Sequence, residues 1–233
     1  ITIDPISTTA TTQLESNQAS AQLGYSVASA GDVNGDGYSD VIVGAPYYDN
    51  GQTDEGAAFI YLGSSSGLST TATTQLESNQ ARAYFGYSVA SAGDVNGDGY
   101  SDVIVGAPYY DYGLGWFTDE GAAFIYLGSS SGLSTTATTQ LESNQARAYF
   151  GYSVASAGDV NGDGYSDVIV GAYRYDNGQT DEGAAFIYHG SASGLSDTVA
   201  TLLESNQASA SFGYSVASAG DVNGDGYSDV IVG

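Results

Sequence analysis

Cysteine, methionine and lysine are missing from this chain of 233 residues, and arginine occurs only at Arg82, Arg147 and Arg174. Without cysteine there is neither a disulfide staple nor thiol chemistry, and the redox compartment leaves no trace in the composition. Three cationic side chains against 27 carboxylates give a formal charge of -24. Such a surface repels nucleic acid and anionic membranes, both of which need Lys or Arg to neutralise phosphate. No apolar run approaches the ~20 residues that cross a bilayer, so membrane insertion is not expected. The opening Ile1-Thr2-Ile3-Asp4-Pro5 lacks the basic end and apolar stretch of a signal peptide, as a mature chain would. Histidine occurs once, at His189, where the sister repeats carry Leu62 and Leu127. It reads as a drifted strand position, because a catalytic base finds no second imidazole or thiol beside it.

What is present argues for a packed protein. The chain is 42% hydrophobic with 20 tyrosines, ample area for a core despite the charge. The string GYSVASAGDVNGDGYSDVIVG occurs four times without change, beginning at Gly24, Gly86, Gly151 and Gly213. The units these define are 24–85, 86–150, 151–212 and a partial 213–233, preceded by a lead-in and outer strand over 1–23. The longer second unit carries the insertion Tyr112-Gly113-Leu114-Gly115-Trp116-Phe117, whose Trp116 and Phe117 suit an exposed contact.

Runs of apolar and β-branched residues bounded by Gly, Asn, Asp and Ser predict four strands per unit and no helices. In the first unit these are Tyr25 to Ala30, Asp40 to Ala45, Ala57 to Leu62 and Thr71 to Glu77. The first is rich in Ala, Ser and Gly, while the later ones carry Val, Ile, Phe, Tyr and Leu. That gradient suits a blade crowded near an axis and widening outward, so the expected fold is an all-β propeller of four-stranded antiparallel blades. A calcium-binding β-roll would repeat about every nine residues instead. The inner strand pair and the outermost strand type recur four times but the third strand only three times. The ring or array is therefore expected to be incomplete within this chain, and completed by further blades of the same parent chain or by neighbouring copies in a homo-oligomer or fibre.

Each repeat holds D-V-N-G-D-G-Y-S-D. The oxygen donors are Asp32, Asn34, Asp36 and Asp40 in the first, Asp94, Asn96, Asp98 and Asp102 in the second, Asp159, Asn161, Asp163 and Asp167 in the third, and Asp221, Asn223, Asp225 and Asp229 in the fourth. Hard oxygen ligands at positions one, three and five of a tight loop can converge on Ca²⁺, with the main-chain oxygen at position seven (Tyr38, Tyr100, Tyr165, Tyr227) and a further carboxylate at position nine. An EF-hand would need a bidentate Glu at position twelve and helical flanks, whereas here Val43, Val105, Val170 and Val232 stand in strand-like runs. Four structural Ca²⁺, one per repeat, are expected, and the three Asp of each loop account for 12 of the 27 acidic residues. A shell filled by protein oxygens leaves no open position for activating water.

Phe85-Gly86 before the loop and Gly106-Ala107-Pro108 after it resemble the FG-GAP repeat of the integrin-α-like β-propeller family. The resemblance implies a propeller, usually of seven blades, with Ca²⁺ at the hairpins of one face and ligand contacts on the other. Departures occur at Leu23-Gly24 and at Gly171-Ala172-Tyr173. The expected role is an extracellular, secreted or cell-surface adhesion or scaffold module with a protein or glycan ligand and no enzymatic activity. A lectin-like carbohydrate binder and the non-catalytic propeller of a larger secreted hydrolase or lyase stand as alternatives. Tyr47-Tyr48-Asp49, Tyr109-Tyr110-Asp111 and Tyr173-Arg174-Tyr175-Asp176 can stack on sugars, grip a protein loop or pack between blades. Asp54-Glu55, Asp119-Glu120 and Asp181-Glu182 read as solvated turn pairs, since their repetition at each blade argues against one hydrolytic cleft.

Overall fold

The computed structural model describes residues 10–111 and 118–233; the insertion with Trp116 and Phe117 lies outside them. Fourteen strands are described in chain order. The first blade has β1 (Ser26–Gly31), β2 (Asp40–Ala45), β3 (Ala57–Tyr61) and β4 (Thr74–Glu77). The second has β5 (Ser88–Gly93), β6 (Asp102–Ala107), β7 (Ala122–Tyr126) and β8 (Thr139–Glu142), and the third has β9 (Ser153–Gly158), β10 (Asp167–Ala172), β11 (Ala184–Tyr188) and β12 (Thr201–Glu204). A final pair, β13 (Val216–Gly220) and β14 (Asp229–Val232), begins a fourth. Each blade is an antiparallel sheet with its strands in sequence order, and the described residues hold no helix and close no ring.

Beyond one-residue differences at the ends of β1 and β3, the structure differs from the sequence reading in the outer strands. The outer strand starts at Thr74 rather than Thr71, because the Ser69 hydroxyl accepts from Thr71 N–H and donates to Thr71 C=O, holding the chain in a turn until it passes Ile60. The expected outer strand within 1–23 is not formed over residues 10–23, where no third strand stands ready to pair with it. That segment instead lays Leu14 and Leu23 against Val43, Phe59 and Tyr61 of the first blade.

The core lies between blades rather than within them. Ile42, Ile60 and Leu76 on one face of the first blade meet Val89, Val103, Val105 and Phe124 on the facing side of the second, and the same set recurs between the second and third. Alternation along each strand sends successive side chains to opposite wedges, so a central strand buried on both faces reads DVIVGA without polar breaks.

The Phe-Gly and Gly-Ala landmarks stitch these wedges. Phe85 is fully buried against Phe124 and Tyr126 of the second blade, while its backbone makes a parallel bridge to Gly56 of the first. At Gly44 a Cβ would stand 2.0 Å from the Gly86 carbonyl oxygen, which also accepts a 2.7 Å bond from the Ser26 hydroxyl. Glycine is required there by close approach of two backbones, and the contact recurs between Gly106 and Gly151.

Candidate functional sites at the two ends of the blades

Every β1–β2-type hairpin ends in the acidic loop, and a bulge between Ser29 and Gly31 sets Gly31 opposite Asp40. In the first loop Asp32 Oδ1 accepts from the N–H of Gly35 (2.7 Å) and Asp36 (3.1 Å), and its Oδ2 accepts from Gly37 N–H (2.8 Å). Asn34 Oδ1 accepts from Asp36 N–H at 3.0 Å while its amide donates to Asp36 Oδ2, and Asp36 Oδ1 accepts from Tyr38 N–H at 2.9 Å. The positions one, three and five therefore share one turn. The same bonds recur at Asp94, Asn96 and Asp98, at Asp159, Asn161 and Asp163, and at Asp221, Asn223 and Asp225.

The ninth position sits apart from this turn. Asp40 is fully buried, with Oδ2 accepting from Val33 N–H and Oδ1 from Gly63 N–H, both at 2.9 Å. Burial lifts its carboxyl above the ordinary aspartate range against those two N–H bonds, and the Asp36 and Asp32 charges add to the rise. Asp102 is held the same way and pushed up to about 6 by burial, and Asp167 is also raised. Asp229 accepts from the Val222 N–H, and among the described residues no third strand lies beside β14 to supply a second donor. Among the described residues no three His, Asp or Glu side chains stand close enough to hold a metal ion between them. The donor types nevertheless suit a hard cation: each turn gathers two carboxylates and an amide oxygen, with the third carboxylate held apart from it.

Neighbouring loops touch. A Cβ at Gly35 would stand 2.5 Å from Cε1 of Tyr100, so from the second unit on the ring of the position-seven tyrosine covers the preceding loop, as Tyr165 covers Gly97 and Tyr227 covers Gly162. His189, set aside in the sequence, lies against the third loop, where its Nδ1 is 2.5 Å from Asn161 Nδ2. Its position directly after a third strand, level with the Gly that binds Asp167, was the available signal.

The opposite end of the blades is lined by tyrosines and carboxylates. Tyr25, Tyr87, Tyr152 and Tyr214 form a row with ring centres 4.8–4.9 Å apart, and hydroxyl bonds link Tyr87 to Tyr152 (3.0 Å) and Tyr152 to Tyr214 (2.9 Å). A second row runs Tyr47, Tyr84, Tyr109, Tyr149, Tyr173, and Arg174 lies 5.4 Å over both of the last two rings. The tyrosine pairs of the loops thus divide their work: Tyr48, Tyr110 and Tyr175 pack edge-on to Phe59, Phe124 and Phe186, while Tyr47 and Tyr109 join the row.

The glutamates of this end correct the sequence reading. Glu55, Glu120 and Glu182 are fully buried rather than solvated. Glu55 Oε1 accepts from Asn50 N–H at 2.5 Å and from Gln52 N–H, which folds the β2–β3 loop over the side chain. Glu182 repeats this with Asn177 and Gln179. The other oxygen of Glu55 and of Glu182 is buried without a hydrogen-bond partner. Burial raises the Glu55 carboxyl, and the Glu77 and Asp49 charges add to it.

The chain matches the FG-GAP repeat model over residues 23–61, 85–126, 150–188 and 212–233. It is 38% identical to integrin alpha-V of Gallus gallus over 95% of the chain and 21% of that relative. It is 38% identical to integrin alpha-IIb of Mus musculus over 69% of the chain and 16% of the relative, and 32% identical to integrin alpha-3 of Cricetulus griseus over 93% and 20%. The chain spans about a fifth of the length of these relatives. Each matched segment includes the Phe-Gly or Leu-Gly junction and the acidic hairpin described above, and the chain belongs to the FG-GAP repeat family, with the blades of an integrin-α-like β-propeller.

Proposed function

We propose that this chain is a calcium-stabilised, non-enzymatic propeller segment that serves outside the cell in adhesion or as a scaffold. The observation that carries the reading is the fourfold acidic hairpin. Asp32, Asn34, Asp36, the Tyr38 main-chain oxygen and Asp40, with their counterparts in the other three units, would hold one Ca²⁺ per loop. When bound, the ion would supply the positive charge that these carboxylates lack and rigidify each hairpin. Four such ions would bring the formal charge from -24 to about -16. The units over 24–85, 86–150, 151–212 and 213–233, each beginning at its GYS, are proposed as the blade repeats.

Similarity to integrin alpha chains supports an adhesion role, and the tyrosine-lined end is the proposed ligand-bearing face. Repetition of every carboxylate pair at each blade, with a single histidine in the chain, supports a binding rather than a catalytic role. The test is a thermal melt with and without chelator, alongside elemental analysis of the purified chain. Bound calcium near four ions per chain and a clear fall in Tm with chelator are expected; no metal together with an unchanged melt would end the reading.

A further inference from the structure

The linker leading into each inner strand differs between the repeats at two positions. It reads Ser20-Ala21-Gln22 before β1 and Ser209-Ala210-Ser211 before β13, but Arg82-Ala83-Tyr84 before β5 and Arg147-Ala148-Tyr149 before β9. The first and third residues of all four linkers are left-handed, with φ between 52° and 67°. The backbone is therefore the same whichever residue is present, and the turn itself does not call for Arg or Tyr. Bulky side chains at positive φ are strained, so their presence is explained by what they face.

Between the first and second blades they face a cavity of about 180 Å³ lined by Ala81, Arg82, Tyr84, Tyr109, Asp111 and Asp119. Two of its lining residues are held in place. Tyr84 is wedged edge-on between Tyr47 (5.0 Å) and Tyr109 (4.9 Å). The Gln80 side chain clamps the Asp111 backbone at both ends, accepting from its N–H at 2.7 Å and donating to its C=O at 3.0 Å. At the next junction Arg174 replaces Tyr109 and lays its guanidinium over Tyr149 and Tyr173, so the chain's own side chain covers the aromatic surface there.

We infer that this cavity is a subsite for one neutral pyranose ring of a glycan, which rests on the proposal that the tyrosine-lined end bears the ligand. The volume lies below the ~300–1,000 Å³ of sites for drug-sized ligands and suits a single ring. The Asp119 carboxylate can accept a hydroxyl proton, while Asp111 Oδ1 is engaged by the Thr118 and Asp119 N–H groups; a guanidinium donates to hydroxyl or ring oxygens, and two phenol rings offer apolar surface for sugar C–H groups. Asp111 and Asp119 outnumber Arg82 and disfavour an anionic guest, and the agmatine competition below tells a neutral guest from a cationic one.

The test uses the full chain in calcium with a panel of methyl pyranosides (gluco, galacto, manno, fuco and N-acetylglucosamine), read by saturation-transfer NMR and titration. The double variant R82S/Y84S borrows the residues of the fourth linker, whose backbone is the same, and Y109R borrows the third unit's residue. At least one pyranoside binds the natural chain, and either variant weakens it tenfold or more with little change in Tm. Binding of no pyranoside, undiminished binding by R82S/Y84S, or displacement of the sugar by agmatine as a guanidinium probe overturns the subsite. Chelator melts on the same samples separate the two proposals. A chelator-sensitive chain that ignores every pyranoside loses only the subsite, and a pyranoside-binding chain whose melt ignores chelator loses only the calcium reading.

Discussion

Two kinds of carboxylate in each repeat do different work although the sequence writes them alike. Asp32 and Asp36 spend their oxygens on N–H groups within their own turn, whereas Asp40 reaches from β2 to Val33 and across to Gly63, joining the hairpin to the end of β3. At the other end Glu55 and Glu142 are raised by burial first and by neighbouring carboxylates after it, as is Asp119 by burial and Asp111. A carboxyl raised in the folded state binds more protons than the unfolded chain does between its unfolded and folded values. Its charged form therefore burdens the fold at neutral pH, and the burden lifts as pH falls through the folded value. The chelated protein is expected to melt higher at pH 5 than at pH 7, in the same direction as relief of the -24 charge. Differential scanning calorimetry in chelator checks this, and a lower Tm at pH 5 contradicts it.

At the scale of strands and linkers, the blades are joined by backbone as much as by side chains. A methyl at Gly106 would meet the Gly151 carbonyl oxygen at 2.0 Å and the Ser88 hydroxyl at 2.3 Å, with backbone that cannot step aside. Gly132, in an open turn at φ 97°, has nothing within 4 Å of an added Cβ. G106A should lose ~3 kcal/mol or more through overpacking, and G132A about 1 kcal/mol from left-handed strain alone. Urea unfolding of the two variants decides it, with equal losses counting against the packing argument. Phe150 belongs to the same junction, fully buried against Phe186 and Tyr188, and F150A should cost about 3–5 kcal/mol.

For the whole molecule the deciding fact is that each wedge of core needs two blades. Val89, Val154 and Val216 are at most 8% exposed where a preceding blade covers them, but Val27 on the first blade is 65% exposed. At the far side Ile42, Ile104 and Ile169 are covered, while Ile231 is 61% exposed. These two faces have the same residues as the ones that meet inside the chain. Further blades are the proposed partners, from the same parent chain or from a second copy. The isolated 23.7 kDa chain is expected to run as a multiple of its mass in light-scattering chromatography, and I231E to return it to monomer. A compact monomer for the natural chain would count against assembly.

Local sequence was enough for the parts that depend on near neighbours. The four-strand unit, the absence of helices and the turn-forming Asn-Gly-Asp-Gly loops follow from period-two patterning and from residues that accept left-handed backbone, and both act over a few positions. Tertiary structure decided what depends on distant residues. Glu55 reads as a surface turn residue until the β2–β3 loop closes over it, and the outer strand expected within 1–23 is not formed over residues 10–23. Nothing local to Arg82 and Tyr84 shows that they line one cavity with Asp111 and Asp119. A chain records its local preferences residue by residue, but burial and pairing are set by which blade lies against which, and that is a property of the packed array alone.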